Sequence, residues 1–197
     1  MPDQPVEPQP VEDSAPVRGS RLGADDWLDA AVEVLLEDGI GGLKISRLSS
    51  RLGVTKGSFY WHFTDIATMK SELADHCRKV QAAAVTRLAN LEELPPVERI
   101  EGMAGLISDP RRWRMEAAMR RWAETDGSIA DSIAELDGQI FQISHQAMRE
   151  LGFDEAEAHA RATTLLYAGI GFVHAHGRLG EATADDLRIF LDILTRK

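Results

Sequence analysis

From Asp25 onward, apolar residues recur at intervals of three and four, and no stretch of any length alternates apolar with polar residues as a half-buried strand would. That periodicity excludes a sheet architecture and makes the expected fold class all-α. The stripe Leu28, Ala31, Val34 and Leu35 marks a first helix, with Asp25 and Asp26 at the positive end of its dipole; Gly39, Gly41 and Gly42 stop it. Ile45, Leu48 and Leu52 mark a second, shorter helix that ends at Gly53. A third is predicted after Thr55, a residue suited to cap it, with Phe59 and Phe63 four apart on one face. Further helices are predicted from Asp65 to about Asn90, Pro96 to about Ile107, Arg111 to about Glu124, Ser128 to Leu151, Asp154 to His176 and Thr183 to Thr195. Pro95, Pro110, Gly127, Gly152 and Gly180 punctuate them.

Charge is unevenly spread, and its distribution says more than its total. The formal net charge of the 197 residues is -10, which spread evenly would repel nucleic acid. Residues 1–17 carry Asp3, Glu7, Glu12 and Asp13 with no basic partner, and Pro2, Pro5, Pro8, Pro10 and Pro16 among few apolar groups; residues 1–21 are expected to be a disordered tail. Between Gly39 and Thr64, by contrast, lie Lys44, Arg47, Arg51, Lys56 and His62 and no acid. Cys77 is the only cysteine, which excludes an intrachain disulfide and a four-cysteine zinc site. The first residues lack the basic start and apolar centre of a signal peptide, and the longest apolar run, Leu165 to Val173, falls short of the roughly 18 residues of a membrane span. A cytoplasmic protein without membrane contact is expected.

The segment from Gly53 to Phe63 carries the most specific chemistry. Two helices joined by a tight turn read DNA because the first props the second steeply, so that its N-terminal residues enter the major groove. Such a joint needs a residue tolerant of positive φ, then an apolar anchor, then a cap, and Gly53, Val54 and Thr55 stand in that order. Ile45, Leu48 and the run Gly53, Val54, Thr55, Lys56, Gly57, Ser58, Phe59, Tyr60, Trp61, His62, Phe63 resemble the signature of the tetracycline-repressor (TetR) family of regulators. The resemblance covers roughly 45 residues; beyond them only the number and order of helices are similar.

The resemblance implies a three-helix DNA-binding domain over residues 22–66 and a larger helical domain over 67–197 that dimerises through its last two long helices and holds a small-molecule pocket. It implies a repressor that leaves double-stranded operator DNA when an effector binds. Carried onto this chain, Thr55, Lys56, Gly57, Ser58, Tyr60, Trp61 and His62 are the candidate DNA contacts, Lys56 and Ser58 towards base edges and Tyr60 and His62 towards phosphate. Gly57 would let the backbone approach the duplex, and Arg18 and Arg21 would enter a minor groove as an arm. Two positions depart from the family pattern: Lys44 stands where a capping threonine is common, and Ile66 where a lysine often touches phosphate, next to Asp65, which suits a helix cap.

In the larger domain, Met115, Ala118, Met119 and Trp122 make a helical stripe, for which core packing is the plain reading. Because the resemblance implies a pocket inside the helical core, the candidates to line it are Met103, Trp113, Met119, Trp122, Phe141, His145 and Tyr167. Arg111, Arg112, Arg114, Arg120 and Arg121 read as a solvated face. Ala158, Ala162, Leu165, Leu166, Gly169, Phe172 and Val173, with Ile189, Phe190, Ile193 and Leu194 on the last helix, form two apolar faces expected to pair with a second copy of the chain in a four-helix interface. His174 and His176 are two apart and point to different helix faces, so no metal is expected, and no cofactor either. With no phosphate loop, nucleophile elbow or metal-spaced cluster, an enzyme is not expected. The alternative is a helical protein-interaction module whose helix-turn-helix binds no DNA.

Overall fold

The computed structural model describes residues 22–105, 109–175 and 183–197. The expected tail, Arg18, Arg21 and His176 lie outside the described residues. Within them all regular structure is helical: α1 (Ala24–Asp38), a 3-10 turn at Ile40–Gly42, α2 (Ile45–Leu52), α3 (Lys56–Phe59), α4 (Ile66–Ala89), α5 (Pro96–Gly105), α6 (Pro110–Ala123), α7 (Gly127–Glu150), α8 (Glu155–Ala175) and α9 (Ala184–Thr195). Pro110 separates α5 from α6 as expected; it opens α6 one residue before the predicted start at Arg111, and in this first turn its missing N–H costs nothing.

Carboxylates set where several helices begin. Gly23 N–H donates to Asp26 at 2.7 Å ahead of α1, and Asp65 accepts from the Thr68 N–H at 2.8 Å ahead of α4. Asp126 accepts from the N–H groups of Ser128 and Ile129 ahead of α7, and Thr183 and Asp186 bond reciprocally ahead of α9. These bonds, led at Asp126 by one from the Ser128 hydroxyl at 2.8 Å, hold the Asp65, Asp126 and Asp186 carboxyls below the ordinary aspartate range.

Two apolar cores follow. The first joins Trp27, Leu35, Leu48, Phe59 and Phe63 of the N-terminal helices to Met69, Leu73 and Cys77 of α4 and to Ala118, Met119, Trp122, Ile129 and Ile133 of α6 and α7. Packing therefore runs across residues 66 and 67: the N-terminal helices share their core with the helices that follow. Burial pushes the Cys77 thiol up to about 12, so this cysteine is a small core hydrophobe. The second core holds Leu88, Ile100, Met103, Leu136, Ile143 and Met148 together with Phe153, Ala158, Leu191 and Leu194. A buried Arg99 ties α5 to α7 by donating to both oxygens of Glu150 at 3.2 and 3.0 Å and to the Leu94 carbonyl at 3.0 Å. Among the described residues, no helix is long and apolar enough to cross a membrane.

Candidate nucleic-acid interface and cavity

The turn between α2 and α3 is built as its residue types require. Gly53 sits at φ 68° and ψ 28°, the left-handed region, and its N–H returns to α2 carbonyls. The Val54 N–H bonds the Ser49 carbonyl at 3.0 Å, and its half-buried side chain packs on the first core. Thr55 departs from expectation: its backbone carbonyl accepts from the Ser58 N–H, but its side chain makes no capping bond. The third helix is also shorter than its apolar spacing suggests. It ends at Phe59, and Tyr60 to His62 continue as a turn in which the His62 and Phe63 N–H groups still return to the Phe59 carbonyl. Phe59 and Phe63 nevertheless reach the core together, their ring centroids 5.3 Å apart, and Trp27 meets Phe59 edge-on at 5.4 Å.

This packing sorts the expected DNA contacts. Thr55, Lys56, Gly57, Tyr60 and Trp61 are exposed, whereas Ser58 and His62 are half-buried. Trp61 is 84% exposed and does not pack on α4. His62 leans on Trp27 and Phe63, at centroid distances of 6.4 Å to each. A Cβ built on Gly57 would meet only Thr55 Oγ1, at 3.6 Å. Asp65 is spent as a cap and Ile66 packs against the first core, so neither supplies a cation at the head of α4.

The acid-free basic window is not free in three dimensions. Arg51 donates to both oxygens of Glu37 at 2.9 and 3.0 Å, and Arg47 pairs with Glu37 and Asp38. Hydrogen bonding from Arg51 holds the Glu37 carboxyl below its ordinary value. These pairs clamp α1 to α2 and leave Lys44 and Lys56 as the window's cations without a carboxylate partner among the described residues. Sequence reading missed the clamp because its acids come from the preceding helix.

A cavity of about 1160 Å³ opens between α4, α5, α6, α7, α8 and α9. Of the expected lining residues, Met103 and Trp113 border it. Met119 and Trp122 do not: their stripe faces the first core, where both are buried. Nor do Phe141 and His145, which form an aromatic cluster with His159 between α7 and α8, with Phe141 stacked on His145 at 5.7 Å and edge-on to His159 at 5.3 Å. His145 Nε2 lies 3.2 Å from a Glu155 oxygen. Tyr167 points outward, 67% exposed. Among the described residues no three metal-ligating side chains converge.

The expected dimer face needs a similar correction. Ala158 and Ala162 are fully buried inside the protomer, and Val173 and Leu194 nearly so, which leaves these four little surface to offer a partner. Leu165, Leu166, Gly169, Phe172 and Phe190 are half-buried and border the cavity. The large apolar side chains left exposed on α8 and α9 are Tyr167, Ile189 and Ile193. Helical spacing showed that these helices are apolar, but not which face each protomer keeps for itself.

Four cavity residues were not anticipated as a group: Gln81, Glu116, Arg120 and Asp137. Arg120, read as solvated, donates to both oxygens of Asp137 at 2.9 and 2.5 Å and lies 2.8 Å from Glu116. Gln81 donates to the other Glu116 oxygen at 3.2 Å. Burial pushes the Glu116 carboxyl above the ordinary glutamate value.

Residues 28–73 match the family described as bacterial regulatory proteins, tetR family. The chain is 36% identical over 55 residues to the class D tetracycline repressor of Escherichia coli, and equally to the class H protein of Photobacterium damsela subsp. piscicida. Each match covers 28% of this chain and 25% of the relative, so it spans about a quarter of the curated relatives' length. Across the larger part of the chain the likeness is one of fold. A transcriptional regulator from Rhodococcus sp. Rha1 superposes with TM-score 0.64 at 23% identity, covering 88% of this chain and 94% of that one. The regulator FadR of Bacillus subtilis, solved in complex with stearoyl-CoA, superposes with TM-score 0.58 at 16% identity, covering 88% and 98%. The helix-turn-helix thus lies inside a segment that matches the tetR family of bacterial regulatory proteins, and the larger part of the chain shares the fold of these regulators.

Proposed function

We propose that the chain is a sequence-specific DNA-binding transcriptional regulator and not an enzyme, acting as a homodimer on double-stranded operator DNA, with residues 22–66 as the reading head and 67–197 as the regulatory part. One observation carries this reading: Lys56, Gly57, Tyr60 and Trp61 all stand in solvent on the crest of a helix-turn-helix whose core is closed. A large indole left 84% exposed gains nothing from its own fold and offers its area to a partner. Lys56 and Ser58 then reach base edges from the start of α3, Tyr60 and Thr55 bond phosphate, and Trp61 packs on the sugar-phosphate chain. His62, held against Trp27, contributes through its outer edge only. Because the protein itself leaves room for a side chain at Gly57, the glycine is best accounted for by a close approach from outside.

Dimerisation would cover Tyr167, Ile189 and Ile193 and set two reading heads on half-sites about 34 to 36 Å apart, or a multiple of that. Operator release by a small molecule bound in the cavity makes the protein a repressor. The volume suits this role, being somewhat above the roughly 300–1,000 Å³ common for ligand sites. The test is selection of bound fragments from random or genomic DNA with the full chain. A recurrent palindrome is expected; recovery of no enriched sequence would refute the reading.

One observation favours a second reading, a helical protein-interaction module. Glu37 and Asp38 neutralise Arg47 and Arg51, leaving few cations for phosphate in a chain of net charge -10. Salt titration separates the two, because DNA binding weakens with a log-log slope of about -0.9 for each phosphate neutralised.

A further inference from the structure

The charges around the cavity divide into two sets. Among the described residues at its rim, Arg87, Arg112 and Arg188 balance Glu101, Asp186 and Asp192 in number, and all six are exposed. Inside, the count does not cancel. Glu116 and Asp137 share one guanidinium, that of Arg120, whose two terminal nitrogens are taken up by these carboxylates. Their side chains retain only 12 to 22% exposure. Gln81, itself buried, adds a dipole but no charge. The wall around them is apolar, with Leu88, Ile100 and Leu136 on one side and Leu165 and Leu187 on the other. Among the described residues, one surplus negative charge thus sits in a largely dehydrated wall, where an uncompensated ion is costly and a cation gains most. We propose that the cavity binds an apolar cation, a small molecule whose positively charged nitrogen lies against Glu116 and whose hydrocarbon body fills the apolar wall.

This rests on the reading of the chain as a ligand-released regulator, and it names the chemical class of the effector. An anionic amphiphile, the other class a cavity of this size admits, would bring a second negative charge to a wall that already has one too many. Rim arginines would hold it only through water-screened contacts.

Three probes with the same ten-carbon chain separate the cases: decylammonium, 1-decanol and decanoate, each titrated calorimetrically into the full-length protein below its micellar concentration. Decylammonium should bind at least about tenfold tighter than 1-decanol, as expected for a charge-assisted bond in a dry site, and decanoate should be the weakest. Glu116→Gln should abolish the preference for the cation and leave 1-decanol unchanged. The ranking in the wild-type protein stands as a test even if that variant fails to fold. Decanoate binding as tightly as decylammonium, a cation preference that survives in folded Glu116→Gln, or no binding of any probe overturns the proposal. Retardation of selected DNA by the same preparation keeps the two readings apart. Protein that retards DNA but ranks the probes otherwise refutes only the cation; protein that prefers the cation yet retards no DNA refutes only the regulator.

Discussion

Gly57→Ala should stabilise the protein while weakening its grip on DNA, a combination that neither a packing role nor a turn role for this glycine would produce. In the folded chain the added methyl would meet only Thr55 Oγ1 at 3.6 Å, an ordinary van der Waals contact, and Gly57 is not among the positive-φ glycines of the described residues. Alanine therefore enters without strain, and the loss of unfolded-state entropy is worth about 0.4–1 kcal/mol. For a chain of this size that raises Tm by roughly 1–4 °C. On DNA the same methyl separates the α3 backbone from the duplex. Losing one charge-assisted hydrogen bond to phosphate, about 1.5–3 kcal/mol, lowers affinity roughly 10- to 100-fold. Thermal unfolding followed by circular dichroism and operator binding followed by fluorescence anisotropy, on the same samples, read both effects. A fall in Tm would refute the claim that the site has room, and an unchanged Kd would refute the close approach.

Gly53 is the opposite case: nothing crowds it, but φ 68° penalises any side chain, so Gly53→Ala should cost about 1 kcal/mol by denaturant unfolding and Gly53→Asn less. Glu116 carries a pH dependence whose sign is fixed by burial. Its carboxyl is raised above 4.5 in the folded protein, so the native state holds the proton more tightly, and its contribution to stability is complete below 4.5 and lost as pH rises through the folded value. Chemical denaturation as a function of pH should therefore show Glu116→Gln gaining on the wild type as pH rises from 4.5, then running parallel to it. The Asp65, Asp126 and Asp186 caps, whose carboxyls are lowered, weaken instead on acidification, and this cancels between the two proteins.

Much of the fold was legible because helix formation leaves a local record. The spacing of Leu28 to Leu35, the glycine after Leu52 and the carboxylate at Asp65 each act within a few residues of themselves. The site was legible where it is local, in Gly53, Val54 and Phe59. What could not be read depends on partners from other helices. The Glu37 clamp on Arg47 and Arg51 spans two elements, and the four polar cavity residues come from α4, α6 and α7. Likewise, a stripe such as Met119 and Trp122 announces burial but not which of two cores receives it. Tyr60 to His62 left the helix for a turn, which turned His62 towards Trp27 and Trp61 outward.

The central claim is that the crest of α3 reads DNA, and the most direct measurement is mobility shift of a selected duplex by the wild type and by the Lys56→Ala, Tyr60→Ala double variant. Both side chains are exposed, and only the Tyr60 ring touches the core, meeting Phe59 edge-on at 5.5 Å. The variant should therefore keep the wild-type circular dichroism spectrum with a small fall in Tm, the lost ring pair being worth about 0.5–1.5 kcal/mol. The account predicts that it loses specific retardation altogether and that any residual binding has a shallower salt dependence. Retardation of the duplex by the folded double variant as strongly as by the wild type would contradict it.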